Sequence, residues 1–319
     1  LFRSQCDMLR GVFPPLPTPF IYDELDEGIL RDTVAALMQS RLGGLLVLGT
    51  NGESFLVDAA EADRVVRVTR DAMPSGRTLL AGAGHDSTRA TVDACRRAGD
   101  HGATHVLVRP PTSYTRAMNQ DVLLAHYERV ADASPVPVLL YNQPAVFGAE
   151  LTPTTVAALA RHDNIVGLKD SSGNISHVND VLARVPDDFS VLTGVAGIMY
   201  QALLTGTTGS IIAVGNVVPN LCVELYQFVM TGQLHKALAL QRALAPLARA
   251  VTLDHGVAGL KAAMTIAGYD GTQPRLPLVP AAAPVVEDLR RMMVQLETFT
   301  GWTLKDRGGR PDGPAGAAS

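Results

Sequence analysis

Cysteine is scarce in this chain. Cys6, Cys95 and Cys222 lie far apart, with no CxxC pair and no Cys/His cluster. That spacing argues against a disulfide framework and against a zinc site, and reduced thiols in the cytoplasm are expected. Long apolar runs are also missing: none approaches the roughly 18 residues of a membrane span. Basic runs are short and the net charge is −4, so neither a membrane surface nor a nucleic-acid backbone is an expected partner. The eight histidines show no metal spacing, and neither HExxH nor a Walker A sequence occurs, so no metal is expected. "GAGHDS" (82–87) is only a faint dinucleotide fingerprint, without the third small residue or the following acid. The opening stretch "LFRSQCDMLRG" lacks the basic-then-apolar order of a signal peptide.

What the chain does have is apolar material for a large core. Hydrophobic residues make up 47% and charged residues 18% of its 319 positions, so it reads as globular. Eight short apolar runs alternate with longer helical patterns: "GVFPPL" (11–16), "GGLLVLG" (43–49), "RTLLAG" (77–82), "THVLV" (104–108), "VPVLLY" (136–141), "NIVGLK" (164–169), "FSVLTG" (189–194) and "GSIIAV" (209–214). Each is too short for a helix and is mostly bounded by Gly, Pro or Asn. Between them, stretches such as 58–73 and 119–134 repeat apolar residues at helical spacing, with Asp58 and Asn119 placed to cap them. Eight strands each followed by a helix predict a (β/α)₈ barrel with right-handed crossovers. An open doubly wound sheet is the alternative. We expect the barrel over residues 1–230, a helical C-terminal extension over 231–305, and a disordered Gly/Pro/Ala-rich tail over 306–319.

Barrel enzymes gather their chemistry at the C-terminal ends of the strands. The second run ends in Thr50-Asn51-Gly52-Glu53-Ser54, the fourth in Arg109 with Tyr114 beyond it, the fifth in Tyr141, the sixth in Lys169 and the seventh in Gly194; the eighth carries Ile211. A lysine in a partly dry barrel mouth loses some of its preference for the ammonium form. A neutral amine can attack a ketone to form a Schiff base, whose iminium draws electrons from a neighbouring carbon–carbon bond. Taken alone, Lys169 fits a solvated strand-end lysine equally well; Tyr141 and "GTNGES" on other strands shift the balance. Tyr141 could relay a proton or simply cap the core. "GTNGES" could cradle a carboxylate on its N–H groups or be a tight turn.

In this order, "GTNGES" (49–54), "YNQP" (141–144) and "GLKDSSG" (167–173) resemble the dihydrodipicolinate synthase/N-acetylneuraminate lyase family. The likeness runs from "GVFPPLPTPF" (11–20) to "GYDGTQPRLPL" (268–278). It implies a pyruvate-dependent class I aldolase, a carbon–carbon lyase on a (β/α)₈ barrel with a helical extension. It needs no cofactor beyond the covalent Schiff base on Lys169. It further implies Tyr141 as proton relay, Thr50 as the hydroxyl beside it, and the N–H groups of Thr50 and Asn51 as carboxylate holders. Gly194 and Ile211 would line the pocket. Tyr114 would reach into a neighbouring subunit of a homotetramer, a dimer of dimers.

Two departures separate subfamilies. Asn51 stands where dihydrodipicolinate synthases have a second hydroxyl residue. Val146 stands where they have an arginine that grips the semialdehyde carboxylate. Asn51, Ser171 and "GVAGLKAAM" are closer to 4-hydroxy-2-oxoglutarate aldolase. The expected reaction is reversible cleavage of a 4-hydroxy-2-oxo acid to pyruvate and an aldehyde. The alternative is 4-hydroxy-tetrahydrodipicolinate synthase, which condenses pyruvate with aspartate semialdehyde. A third reading, a barrel that binds a 2-oxo acid without turnover, leaves the lysine unexplained. Arg109 either takes over the role missing at Val146 or is a rim arginine paired with a surface acid.

Overall fold

The computed structural model describes residues 8–301; the expected disordered tail lies outside them, as does Cys6. Among the described residues ten strands form in chain order: β1 (Gly11–Val12), β2 (Phe20–Ile21), β3 (Glu24–Leu25), β4 (Gly44–Val47), β5 (Thr78–Gly82), β6 (His105–Val108), β7 (Val138–Asn142), β8 (Ile165–Asp170), β9 (Ser190–Thr193) and β10 (Gly209–Ser210). Eight of them make one parallel sheet in the order β1-β10-β9-β8-β7-β6-β5-β4.

The sheet closes on itself between β1 and β4. Gly43 N donates to Val12 O at 2.9 Å, Leu46 N to Pro14 O at 3.0 Å and Leu16 N to Leu46 O at 2.7 Å. The first strand is shorter than the run 11–16 predicts. Pro14 and Pro15 have no N–H to give to a ladder, so the seam uses the carbonyls of Val12 and Pro14 with the amides of Gly43 and Leu46, and the N–H of Leu16 returns to Leu46. The run 209–214 is cut short as well: Ile211 follows β10 rather than lying in it, although its N–H still reaches Thr193 O at 2.8 Å. The antiparallel pair β2–β3 is a hairpin that the sequence reading does not contain. Its two central residues, Tyr22 (φ 49°) and Asp23 (φ 70°), are both left-handed. That twist suits a two-residue hairpin turn but is usually signalled by Asn or Gly.

Alternate strand residues point to opposite sides of the sheet. Leu46, Leu80, Leu107, Leu139 and Leu192 fill the barrel together with Phe13, Tyr141 and Ile211. Leu45, Leu79, Val106, Leu140, Leu168 and Val191 face outward onto the helices. The outer helices include Ala59–Ala72 and Gln120–Ala133, N-capped by Asp58 and Asn119 as their sequences suggest. The same outer cluster continues into the C-terminal helices Leu234–Arg249, Gly256–Ile266 and Ala283–Thr300 through Leu244, Leu260 and Met293. The extension is therefore packed onto the barrel's own core. No helix among the described residues is long and apolar enough to cross a membrane.

One irregularity separates the phase of Ile165 from that of Lys169. β7 pairs with β8 as Val138↔Ile165 and then Leu139↔Gly167, so Val166 is skipped. Such a bulge shifts the two-residue alternation by one. Ile165 and Leu168, three apart, can then both face the helices. Past the bulge, Tyr141 is opposite Lys169, and Lys169 is opposite Leu192. All three point into the barrel. Gly167 permits the close strand contact: a Cβ there would stand 2.5 Å from Ser190 O.

Candidate active site

Lys169 is 4% exposed. Its Nζ stands 4.2 Å from the centroid of the Tyr141 ring, and among the described residues it has no hydrogen bond or ion pair. Tyr141 is 5% exposed and packs edge-on against Phe147, with ring centroids 5.0 Å apart. Its hydroxyl donates to Gln143 Oε1 at 2.6 Å. Thr50, the hydroxyl residue expected beside Tyr141, lines the same cavity. Gln143 lies within the quoted "YNQP", but nothing in its sequence position marks it for this role.

Gly194 and Ser171 complete the wall beside the amine. A Cβ on Gly194 would lie 1.8 Å from Ser171 Oγ and 3.0 Å from Lys169 Cε. The end of β9 thus has room for the lysine only because it carries no side chain. Ile211 is buried in the same inner cluster as Tyr141.

Behind the lysine, the strand end is fixed by a buried carboxylate. Asp170 is 2% exposed. Its Oδ2 accepts from Asn142 Nδ2 at 2.7 Å and lies 3.5 Å from His177 Nε2. Its Oδ1 accepts from Ser172 N at 3.1 Å and Ser172 Oγ at 2.6 Å. Asn142 and Asp170 are paired residues on β7 and β8, so the network pins together the ends of the two strands that carry the tyrosine and the lysine. Sequence reading passes over this carboxylate, because an Asp beside a turn is common.

The "GTNGES" segment is a single helical turn, Thr50–Gly52, followed by Glu53 in the left-handed region (φ 54°, ψ 35°). The first N–H groups of such a turn have no partner within it, which leaves those of Thr50 and Asn51 free to bind an anion. Thr18 Oγ1 donates to Gly52 O at 2.6 Å and steadies the turn. A cavity of 410 Å³ is lined by Gly49, Thr50, Arg109, Tyr141 and Phe147 at the rim and by Ala62, Val66 and Ala94 of the covering helices. It reaches Tyr141 but not Lys169.

Arg109 lines this cavity and is already paired. Its Nη1 lies 3.0 Å from Asp86 Oδ1 and also donates to Pro110 O at 2.9 Å. The guanidinium sits 4.8 Å from the Phe55 ring centroid. Burial would raise the Asp86 carboxyl, but hydrogen bonds from Ser113, Thr112 and Arg109 hold it well below the usual carboxylate range. Neighbouring His85 is pushed down by burial and by the Arg109 and Arg97 charges. Tyr114 (86% exposed) and Val146 (49% exposed) do not line the cavity. No group of three or more His, Cys, Asp or Glu among the described residues is arranged to hold a metal ion.

The sequence profile described as the dihydrodipicolinate synthetase family matches residues 8–296. A protein of Methanothrix thermoacetophila named 4-hydroxy-tetrahydrodipicolinate synthase is 34% identical over 296 residues, covering 92% of this chain and 99% of that protein. A protein of Emericella nidulans named probable mitochondrial 4-hydroxy-2-oxoglutarate aldolase is 34% identical over 281 residues, covering 85% and 90%. The crystal structure of dihydrodipicolinate synthase from Thermotoga maritima superposes with a TM-score of 0.87 at 31% identity, covering 91% of this chain and 99% of that one.

Proposed function

The chain belongs to the dihydrodipicolinate synthetase family, and from that premise we propose that it is a Schiff-base aldolase that cleaves a 4-hydroxy-2-oxo acid to pyruvate and an aldehyde. The observation that carries the reading is the dry Lys169 amine facing the Tyr141 ring at 4.2 Å.

In this mechanism Lys169 Nζ adds to C2 of the 2-oxo acid. Tyr141 gives its proton to the departing C2 oxygen, which leaves as water, and an iminium remains. The Tyr141 oxygen then takes the proton of the C4 hydroxyl. The electrons of the C3–C4 bond flow into the iminium, releasing an aldehyde and leaving an enamine. Protonation at C3 and addition of water free pyruvate and restore the amine. The N–H groups of Thr50 and Asn51 hold the substrate carboxylate, and the Thr50 hydroxyl assists the proton relay. Gly194, Ser171 and Ile211 shape the floor around the reacting carbons. No metal is needed, because the iminium is the electron sink.

The reverse use, condensation of pyruvate with aspartate semialdehyde, is a second reading favoured by relatives that bear the synthase name. We further propose a homotetramer in which exposed Tyr114 crosses to a neighbour. The proposed setting is the cytoplasm, in keeping with Cys95 and Cys222, which are buried, unpaired and pushed up to about 12 by burial.

The test is to incubate the protein with pyruvate and borohydride and to map the added mass by peptide mass spectrometry. Modification of Lys169, absent in Lys169→Ala, is expected. An unmodified Lys169 would sink the mechanism.

A further inference from the structure

Among the described residues the segments leaving the strands around Lys169 offer no unpaired charge, and from this we infer that the part of the substrate beyond its reacting C4 carbon is uncharged. The inference rests on the Schiff-base reading above and narrows its substrate class. In the sheet β8 is flanked by β7 and β9. The loop leaving β7 offers Gln143, already engaged by the Tyr141 hydroxyl, and half-exposed Val146. The loop leaving β9 begins Gly194-Val195-Ala196-Gly197. The segment after β10, Ile211 to Val214, is apolar and buried. None of these can pair with a carboxylate as an ion.

The charges that do belong to the rim are matched within the protein. Arg109 is held by Asp86, and that carboxylate is saturated by Thr112 and Ser113 as well. Glu53 meets Lys261 at 2.7 Å. Asp170 is spent on Asn142, His177 and Ser172. A second substrate carboxylate would have to pull Arg109 away from Asp86 or lose its water beside Val146 with no counter-ion, and both are penalised. An alkyl or aryl group would instead gain by covering Phe55, which lines the cavity and is half exposed. Arg116 remains, but it stands exposed on the outer turn Thr115–Ala117 and does not line the cavity. The substrate is then a 4-hydroxy-2-oxo acid with an uncharged C4 substituent, and the released aldehyde is apolar.

The experiment compares kcat/KM for pyruvate release from 4-hydroxy-2-oxohexanoate and from 4-hydroxy-2-oxoglutarate, using the full chain. We expect the uncharged acid to be preferred by roughly tenfold or more. The Val146→Arg variant, which places a cation on the rim, should shrink that ratio. Equal rates, or a preference for the dicarboxylate, overturn the inference; loss of such a preference in Arg116→Ala would name Arg116 as the carboxylate's partner. Borohydride trapping of pyruvate on Lys169 is run in parallel. Trapping together with a dicarboxylate preference sinks the substrate class alone, whereas failure to trap sinks the Schiff-base reading beneath it.

Discussion

The ammonium of Lys261 stands 2.7 Å from Glu53 Oε1, and both side chains are at most 1% exposed. This contact joins the C-terminal helices to the turn after β4. Lys261 Nζ also donates to Thr18 O and Gln273 O, each at 2.8 Å, and Glu53 Oε2 accepts from Arg275 N at 2.8 Å. Burial holds the Lys261 ammonium pKa below the usual lysine value, against the opposing pull of Glu53.

Replacing Lys261 by Met strands a buried carboxylate. We expect a loss of about 3–5 kcal/mol of stability in urea unfolding, partly recovered in Glu53→Gln/Lys261→Met. Because Glu53 ends the Thr50–Gly52 turn, the folded fraction should show a raised KM for the 2-oxo acid more than a lowered kcat. An unchanged urea midpoint would refute the assignment.

Tyr141→Phe keeps the edge-on contact with Phe147 and removes only the hydroxyl. The fold should persist, with kcat reduced on the order of 10²–10⁴-fold. Gln143→Leu, which frees that hydroxyl, should cost less. Steady-state pyruvate release measures both, and a Tyr141→Phe enzyme at full rate would remove the tyrosine from the chemistry.

Gly194→Ala puts a methyl group where Ser171 Oγ and Lys169 Cε already lie. The lysine must then swing aside, and a displacement of about 1 Å can cost on the order of 10²-fold in rate. Combining it with Ser171→Gly removes the nearest clash and should return part of the activity. If the single variant labels with pyruvate and borohydride as fast as the parent, the wall is less confining than its geometry states.

His126 gives the protein an acid sensitivity. Burial first, and the Arg109 charge second, push its imidazole down to about 4 from the ordinary 6.5. Its Nδ1 is 2.9 Å from Thr88 Oγ1. The folded pKa is depressed, so the unfolded chain binds this proton first as pH falls. Stability is full above about 6.5 and declines toward about 4, by about 3 kcal/mol in total. Urea midpoints between pH 7 and 4 should show this slope, and His126→Gln should flatten it. Equal slopes in the two proteins would count against the assignment.

The residues that sequence reading found are those whose signal is local. Lys169 and Tyr141 each end an apolar run, and the barrel rule then places them at the mouth. The missed features depend on pairings that no short window contains. Glu53 and Lys261 are far apart in sequence, and each alone reads as a surface charge. Asp86 reads as a loop acid until Arg109, Thr112 and Ser113 converge on it. The β2–β3 hairpin hides because Tyr22-Asp23 adopts a turn usually left to Asn and Gly. The first strand is over-read because apolar content says nothing of the hydrogens that Pro14 and Pro15 lack.

The skipped Val166 divides β8 into two independently phased halves. Ile165 answers to the helices, while Lys169 answers to Tyr141 and Leu192. Excising Val166 would let the ladder run without interruption and should spare labelling of the amine by pyruvate and borohydride. One extra alanine after Gly167 would rotate the nitrogen out of the chamber and abolish that labelling. Whether this polypeptide can be an aldolase thus turns on an odd or even count of residues between the bulge and Lys169.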